Sequence, residues 1–263
     1  MIPKTIHLCW FGAEPYPPLV ELCMKSWERH LPDYEIKIWN REMALETCIP
    51  FVAEAIENEK WAFAADVIRL YALYHEGGVY MDSDIFLKSR FDEFLSNDFV
   101  SFQEYHLCFI DKKATDEYGN RRKMGVIPGI GIQAAFMASV PGHYFVKALL
   151  DYYARRAFLL PDGSLNTRII APAIYAMEAE TLGYKYIDKT QILGGTTIYE
   201  SKFLAGDFTE DSEDAFAIHC CNNSWRERSV KEKALSIIRD VLHKSGIRRK
   251  KTGLDYLNSL IAG

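Results

Sequence analysis

The spacing of apolar positions changes several times along the chain, and each change predicts a new element. Apolar residues in runs or with a period of two predict strands over residues 4–10, 34–39, 79–81, 99–102, 130–138 and 216–219. Apolar residues three and four positions apart predict helices over residues 18–30, 51–76 and 144–158. The polar residues 111–125 carry five Lys/Arg and predict a mobile loop. Strands that alternate with helices in this way indicate an α/β fold with a largely parallel sheet.

Length and composition are typical of a globular α/β protein. The chain has 263 residues, of which 49% are hydrophobic and 25% are charged, and this length suits one large domain or two small ones. It contains no apolar run near the roughly 18 residues of a membrane-spanning helix, and its first residues resemble a strand rather than a signal peptide. The six cysteines form no CxxC pair. We therefore expect a reduced, cytoplasmic chain whose cysteines are small core residues.

The C-terminal part of the chain differs in charge from the rest. Residues 226–263 carry a balance of +6, whereas residues 1–225 carry −11, and an acidic body disfavours nucleic acid as a partner. A capping-box pattern at Ser229–Glu232 and apolar positions at helical spacing up to Gly246 predict an amphipathic helix, which the basic run Arg248–Lys251 follows. We therefore expect residues 1–225 to form the main domain and residues 226–263 to form a basic helical tail.

Two roles fit this basic tail. In the first, it docks on the body of the protein with its basic end in water. In the second, it contacts an anionic membrane surface, where a polybasic cluster gains about 1 kcal/mol per charge. The second role would make the protein peripheral on the inner face of the membrane.

The motif with the strongest chemical content is Asp82-Ser83-Asp84, at the end of the predicted strand 79–81. Two carboxylates at i and i+2 leave a strand on the same side, so both can reach one hard divalent cation that keeps positions open for phosphate. With 16 aspartates in the chain, such a pair is common by chance. Its placement favours a site, because Gly77-Gly78 ends a helix directly before the strand and open α/β sheets bind ligands at strand carboxyl ends.

Two further groups of polar residues are candidates for the same site. Asp66 and Arg69 lie at i and i+3 of a helix whose neighbouring residues are nearly all apolar. On a surface such a pair is worth about 0–1 kcal/mol, but buried charges must be paired or serve a site. Far along the chain, His219 ends the last predicted strand, and polar residues and Trp225 follow it. This segment can complete a phosphate and metal site.

The tryptophans divide into one candidate and several core residues. Trp10 ends the first predicted strand and precedes a glycine, so its ring belongs either to the core or to the rim of a pocket, where aromatic stacking would hold a base. Trp27, Trp39 and Trp61 are assigned to the core.

Three stretches of the chain, taken together, carry a family resemblance. They are Ile2–Gly12, the pair Ala65–Arg69 and Gly77–Asp84, and His219–Trp225. In this order and roughly this spacing they resemble glycosyltransferase family 32, the DXD-containing sugar transferases. That family includes bacterial capsular and lipopolysaccharide transferases and fungal mannosyltransferases, and the glucosyltransferase domains of clostridial toxins are more distantly similar. The resemblance implies a GT-A fold over residues 1–225, a nucleotide-binding α/β sandwich with a mixed, mostly parallel central sheet, followed by the helical tail.

The resemblance also implies an activity and a metal site. It implies a retaining hexosyltransferase that moves a hexose from a nucleotide-sugar donor, with a UDP-sugar favoured, to a saccharide or lipid-linked saccharide acceptor in surface polysaccharide synthesis. It implies a divalent metal, with Mn²⁺ favoured and Mg²⁺ as the alternative. By carry-over, Asp84 is a direct metal ligand, Asp82 contacts the metal or the donor ribose, and His219 completes the metal shell.

The same resemblance implies how the donor is held. Trp10 would stack on the base, Asp66 and Arg69 would hydrogen-bond the donor sugar and its neighbourhood, and Ser224 with Trp225 would contact the diphosphate. Gln133 and Asn166 lie in stretches similar to the family's sugar-binding strand and loop. The catalytic set that the resemblance implies is Asp66, Arg69, Asp82 and Asp84.

One departure from the family and two other functions stay open. Where the family often has a second histidine, this chain has Cys220, and because sulfur is a poor ligand for Mn²⁺ or Mg²⁺ the third ligand is assigned to His219. A phosphatase of the haloacid-dehalogenase type would use Asp82 as nucleophile, but that motif normally carries Thr or Val where this chain has Phe86. A non-catalytic nucleotide-sugar-binding module is the other alternative.

Overall fold

The computed structural model describes residues 1–12, 15–106, 109–111, 113–207, 210–220 and 253–262. The helices within these ranges are α1 (Pro18–His30), α2 (Arg41–Glu46), α3 (Pro50–Glu57), α4 (Trp61–Glu76), α5 (Tyr144–Ala154), α6 (Ala171–Ala179) and α7 (Gly253–Ala262). The strands are β1 (Thr5–Cys9), β2 (Glu35–Trp39), β3 (Gly78–Met81), β4 (Ile85–Leu87), β5 (Phe99–Tyr105), β6 (Ile130–Ile132), β7 (Phe136–Ser139), β8 (Gln191–Leu193), β9 (Thr196–Tyr199), β10 (Leu204–Ala205) and β11 (Ala217–His219). Short 3₁₀ turns occupy Asp92–Phe94, Glu180–Leu182 and Ser201–Phe203.

Two sheets organise the described part of the chain. The larger has the order β2-β1-β3-β7-β5-β9-β8, with β6 paired to the end of β5, and the smaller has the order β10-β11-β4. In the larger sheet β2, β1, β3, β5 and β9 run in one direction, and β7 and β8 run against them. The α/β class with a mixed, mostly parallel central sheet is therefore confirmed.

Hydrophobic clusters cover both faces of the larger sheet. Alternate strand residues face opposite sides, so Tyr80 and Met137 join the cluster formed with helices α3 to α6, while Val79 and Met81 join a second cluster that contains Trp27 of α1. Trp27 also donates its indole N–H to the carbonyl of Ile85, 2.7 Å away. A sheet covered on both faces has near-continuous apolar strands, as β3 shows.

The structure corrects three boundaries predicted from periodicity. The helix predicted over 51–76 is two helices, because the chain leaves helical geometry after Glu57 and Glu59 has a φ of 55°. The strand predicted over 130–138 is two strands, β6 and β7, which pair with different parts of β5. The helix predicted over 144–158 ends at Ala154. The polar run over residues 57–60 marks the first break, whereas apolar residues resume on both sides of it and hide the change of direction.

The assignment of Trp61 to the core is wrong. Its side chain is 46% exposed at the first position of α4, whereas Trp27 and Trp39 are buried as predicted. Segment 61–73 is apolar on most sides of the helix, so its periodicity does not show which residues face outward. The packing of α4 shows that its first residue does.

The predicted loop and tail are described in part. Within the polar segment 111–125, Thr115 and Arg121 form an isolated antiparallel bridge. Residues 221–252, which include most of the predicted basic helix, lie outside the described residues. Helix α7 packs on α1 through Leu257, which is fully buried beside Leu22. Within the described ranges, no helix is both long and apolar enough to cross a membrane.

Candidate functional site

A close approach of three strands sets the position of Asp82. Gly78 has a φ of 100°, and a Cβ added there would lie 2.5 Å from the carbonyl oxygen of Thr5 on β1. Only glycine fits this combination of backbone angle and contact, so it allows β3 to enter the sheet directly after α4. The strand then ends at Met81, and the Asp82 N–H donates to the carbonyl of Ala135, 2.9 Å away. Asp82 therefore lies at the carboxyl end of β3, next to the chain that leads into β7.

The turn after β3 brings a distant segment next to Asp84. The chain passes through Asp82–Asp84 into β4, which leaves the larger sheet and pairs antiparallel with β11, so that Ile85 lies opposite His219. The N–H of Cys220 donates to the carbonyl of Asp84, 2.9 Å away, and fixes this pairing at the end of the strand. His219 Nε2 then lies 3.4 Å from Asp84 Oδ1.

Asp82, Asp84 and His219 form a cluster that fits a divalent cation. Each offers one ligand atom, and these atoms all lie within 4.8 Å of one another. Two carboxylate oxygens and one imidazole nitrogen suit Mn²⁺ and are compatible with Mg²⁺. Cys220 is buried in a separate apolar cluster that also contains Cys23, so the geometry favours His219 as the third ligand.

Arg69 is a buried hub that holds the acidic residues of the site. Its guanidinium lies 3.1 Å from Asp66 Oδ1 and 3.3 Å from Asp82 Oδ1. It also donates to the carbonyl of Ala134 at 2.8 Å, and it lies 4.7 Å from the centre of the Tyr80 ring. The Tyr80 hydroxyl donates to Asp82 Oδ1 at 2.6 Å. Arg69 and Tyr80 therefore fix one oxygen of Asp82, and the predicted pairing of Asp66 with Arg69 is present in the structure.

The charges in this hub shift one another's pKa values. Burial raises the pKa of Asp66 to about 7, although the neighbouring Arg69 opposes the shift, and the Asp82 carboxylate adds to it. Burial lowers the pKa of Arg69, but the surrounding Tyr80, Asp82 and Asp66 outweigh it and raise that pKa well above its ordinary value. Asp66 thus titrates near neutral pH, while Arg69 keeps its charge.

Asp66, Arg69, Asp82 and His219 line one open cleft of about 800 Å³, counting the open space at its mouth, whereas Asp84 lies beside His219 outside the lining. The lining contains both polar candidates and an apolar wall: Ala62, Phe63, Asp66, Arg69, Asp82, Glu104, His106, Gln133, Ala134, Ala135, Ile170, Ala171, Pro172, Gly206 and His219. The predicted donor residue Gln133 lies here, with its side-chain oxygen 3.3 Å from the N–H of Ala135. The cleft thus combines segments that are far apart in the sequence.

The remaining predicted site residues lie elsewhere. Trp10 is half-buried at the end of β1, with its ring edge-on to Tyr16 at 5.0 Å, and it is not part of the cleft lining. The Asn166 amide donates to the carbonyl of Ala157 at 3.1 Å, also away from the lining. Ser224 and Trp225 lie outside the described residues, and their contact with a diphosphate stays a prediction.

Sequence reasoning missed several residues around this cleft. Glu104 and His106 line it, and both follow a strand that was predicted to end at Phe102 but continues to Tyr105. The exposed Trp61 lies beside Trp10, because a Cβ added at Gly12 would lie 3.5 Å from one ring and 3.6 Å from the other. No local motif marks Glu104 or His106 in the sequence.

Comparison with known families bears on this cleft. Residues 17–100 match the family described as "Glycosyltransferase sugar-binding region containing DXD motif". The matched range contains α4, with Asp66 and Arg69, and the Asp82-Ser83-Asp84 turn. The resemblance to the DXD-containing glycosyltransferases is thereby confirmed.

Particular relatives refine this similarity. The chain is 28% identical over 197 residues to mannosyl phosphorylinositol ceramide synthase SUR1 of Saccharomyces cerevisiae, which covers 68% of this chain and 49% of that protein. It is 27% identical over 168 residues to inositol phosphoceramide mannosyltransferase 2 of Schizosaccharomyces pombe, covering 60% of this chain and 40% of that protein. The chain thus spans about half or less of the length of these relatives. Among solved structures, it is similar to PaToxG glycosyltransferase, with a TM-score of 0.45 and 16% identity over 68% of this chain and 69% of that one.

Proposed function

We propose that this chain is a metal-dependent, retaining hexosyltransferase that uses a nucleotide-sugar donor. The observation that carries the proposal is the convergence of two groups at one cleft: the Asp82, Asp84 and His219 cluster, of which Asp82 and His219 line the cleft, and the buried Asp66–Arg69 pair. A sugar–phosphate bond breaks with growing negative charge on the diphosphate, and a bound divalent cation would neutralise that charge. The match of residues 17–100 to a DXD-containing sugar-binding region supports the same reading.

The chain's own residues would bind and orient the donor. Asp82, Asp84 and His219 would hold Mn²⁺, or Mg²⁺, and Arg69 keeps Asp82 in place for this role. When ionised, Asp66 can accept hydrogen bonds from sugar hydroxyls. Burial raises its pKa to about 7, so both the ionised and the protonated form are populated near neutral pH. The energetic value of these contacts comes from their preorganisation, because Arg69 is only 4% exposed and its partners are already in position.

The aromatic residues beside the cleft would hold the nucleotide base. Trp10 and the exposed Trp61 both lie close to Gly12, and Trp61 directly precedes Ala62 and Phe63 of the cleft lining. A base stacked on an aromatic ring gains about 1–3 kcal/mol. The acceptor hydroxyl would attack on the face that the leaving diphosphate occupies, and a phosphate oxygen would take its proton. The anomeric configuration is then retained without a protein nucleophile.

The donor and acceptor are further parts of the proposal. A UDP-sugar is favoured as donor, while the names of the yeast relatives describe mannosyl transfer to inositol phosphoceramide, which adds a mannosyl donor to the set to be tested. The acceptor would be a saccharide or lipid-linked saccharide, used in surface polysaccharide or glycolipid synthesis. A screen of donors separates these choices.

The test is release of nucleoside diphosphate from a panel of UDP- and GDP-hexoses, with and without Mn²⁺. We expect turnover of one donor that needs Mn²⁺ and stops in excess chelator. Asp84→Asn should abolish it, whereas Asp214→Asn, at an exposed aspartate outside the cleft lining, should leave it unchanged. Full turnover by Asp84→Asn would refute the metal role. Nucleotide binding without turnover would favour a binding module, and phosphate release from an aryl phosphate would favour the phosphatase.

A further inference from the structure

A second polar cluster, separate from the metal ligands, lies at the same cleft: Glu104 and His106 line the cleft, and Glu210 contacts His106. Glu104 is the last residue but one of β5, and His106 directly follows this strand. His106 Nε2 lies 3.6 Å from Glu104 Oε1, and His106 Nδ1 lies 3.7 Å from Glu210 Oε1. The imidazole is therefore held between two carboxylates. Hydrogen bonding to the Glu104 carboxylate raises the pKa of His106. Two carboxylates beside one imidazole give the cluster a net negative charge in either protonation state of the ring.

Gly206 makes room for this arrangement. A Cβ added at Gly206 would lie 2.6 Å from Glu210 Oε2 and 3.3 Å from His106 Cε1. The N–H of Gly206 donates to Glu210 Oε2 at 3.1 Å. A glycine at this position thus lets the backbone hold the carboxylate against the ring, and Gly206 itself lines the cleft.

The cluster has the exposure and chemistry of a binding surface. The Glu104 side chain is 21% exposed and the His106 side chain is 32% exposed, so both can reach a ligand in the cleft. An ionised carboxylate has about four acceptor positions, so the ion pair with His106 leaves Glu104 able to accept neighbouring hydroxyls of a ring. Ile170 and Pro172 line the cleft as well and offer an apolar surface to the C–H groups of such a ring.

We propose that Glu104, His106 and Glu210 form the acceptor subsite of the cleft, and that they select a neutral, polyhydroxylated ring. The inference rests on the proposed glycosyltransferase function. A transferase must hold two reactants in one cleft, and the Asp66–Arg69 hub and the metal ligands account for the donor alone. Two carboxylates beside one imidazole favour hydroxyl donors and repel an acceptor that carries a phosphate close to the attacking hydroxyl.

The experiment separates acceptor binding from donor chemistry. Donor hydrolysis by water, measured without acceptor, reports the donor site. Transfer to methyl α-mannoside, methyl α-glucoside, methyl β-galactoside, myo-inositol and myo-inositol 1-phosphate reports the acceptor site. Glu104→Gln removes one carboxylate charge, His106→Gln removes the imidazole between the two carboxylates, and Gly206→Ala displaces the Glu210 carboxylate without a change of charge. Glu93→Gln, at an exposed glutamate outside the cleft lining, is the matched control.

We expect wild-type transfer to at least one neutral ring, with myo-inositol 1-phosphate used less well than myo-inositol. The three cleft variants should raise the KM for that acceptor about tenfold or more, as expected when a charge-assisted hydrogen bond is lost. Their donor KM and donor hydrolysis should stay within about twofold of the wild type, which is well below such a loss. Glu93→Gln should change neither quantity.

Several results would overturn the inference. The inference is wrong if the acceptor KM of Glu104→Gln and His106→Gln stays within twofold of the wild type. It is also wrong if the donor KM of these variants changes in parallel with the acceptor KM. Donor hydrolysis by the wild type with transfer to no neutral ring, or a preference for myo-inositol 1-phosphate, would also reject it while leaving the proposed function intact. A wild type that turns over no donor would refute the proposed function, and the acceptor assignment with it.

Discussion

Replacing Arg69 with methionine tests whether this residue is the electrostatic hub of the cleft. Methionine keeps an unbranched apolar stem and removes the guanidinium that lies 3.1 Å from Asp66 and 3.3 Å from Asp82. The variant also leaves the Ala134 carbonyl without the donor that now lies 2.8 Å away. Because Arg69 is buried, water cannot readily take over these contacts.

The expected cost follows from breaking a buried ion pair, which destabilises a protein by about 3–5 kcal/mol. This cost should depend on pH. Arg69 lowers the pKa of Asp66, which burial has raised to about 7, so removal of Arg69 raises that pKa further. At pH 5 Asp66 is protonated in both proteins. At pH 8 it is ionised in the wild type but protonated in the variant, so the variant loses about 1.4 kcal/mol more, the value of one pH unit.

The assay is urea unfolding followed by far-UV circular dichroism at pH 5 and pH 8. Arg90→Met is the matched control, since Arg90 also contacts two carboxylates, Asp33 and Asp92, both at 2.8 Å, but at an exposed position. Its effect should be much smaller than that of Arg69→Met. The reasoning is wrong if Arg69→Met costs less than about 1 kcal/mol, which is the range of surface pairs. An equal cost at both pH values, or an equal cost in Arg90→Met, would also contradict it.

Three further predictions concern stability and nucleotide binding. The folded-state pKa of Asp66 lies above its unfolded value, so the contribution of this group to wild-type stability falls as pH rises from about 4 to about 7; Asp66→Asn removes this contribution, and in urea unfolding its stability relative to the wild type should grow with pH by at most about 4 kcal/mol. Leu257→Ala should destabilise the protein by about 2–4 kcal/mol in thermal and urea unfolding because Leu257 is fully buried, whereas Leu254→Ala at an exposed position of α7 should have little effect. Trp10→Ala should weaken nucleoside diphosphate binding in calorimetry by about 1–3 kcal/mol without a change in the metal requirement, and unchanged affinity would remove Trp10 from the base site.

Local patterns predicted much of this fold and part of the site. The strands β1, β2 and β3 and helix α1 lie where alternation and helical spacing placed them. The contact between Asp66 and Arg69 followed from their spacing of three within one helix. These predictions succeed because they depend on backbone periodicity over a few residues, which neighbouring side chains reveal directly.

Other features could not be read from local patterns. Trp61 begins α4 in a largely apolar segment, and its exposure could not be predicted from that segment. Glu104 and His106 have no distinctive motif, and their position in the cleft depends on how far β5 continues beside β6. Each of these features depends on which elements pack together, and local sequence patterns do not specify that packing.

The sequence by itself determined that two carboxylates leave a buried strand on one side and that a glycine pair precedes that strand, because both are properties of adjacent residues. Tertiary structure alone decided that His219 stands beside Asp84, since this contact requires β11 to pair antiparallel with β4. It also decided that Arg69 reaches Asp82 as well as Asp66, because α4 packs against β3. A metal site assembled from separate segments depends on long-range strand pairing and helix packing, which are cooperative properties of the whole fold.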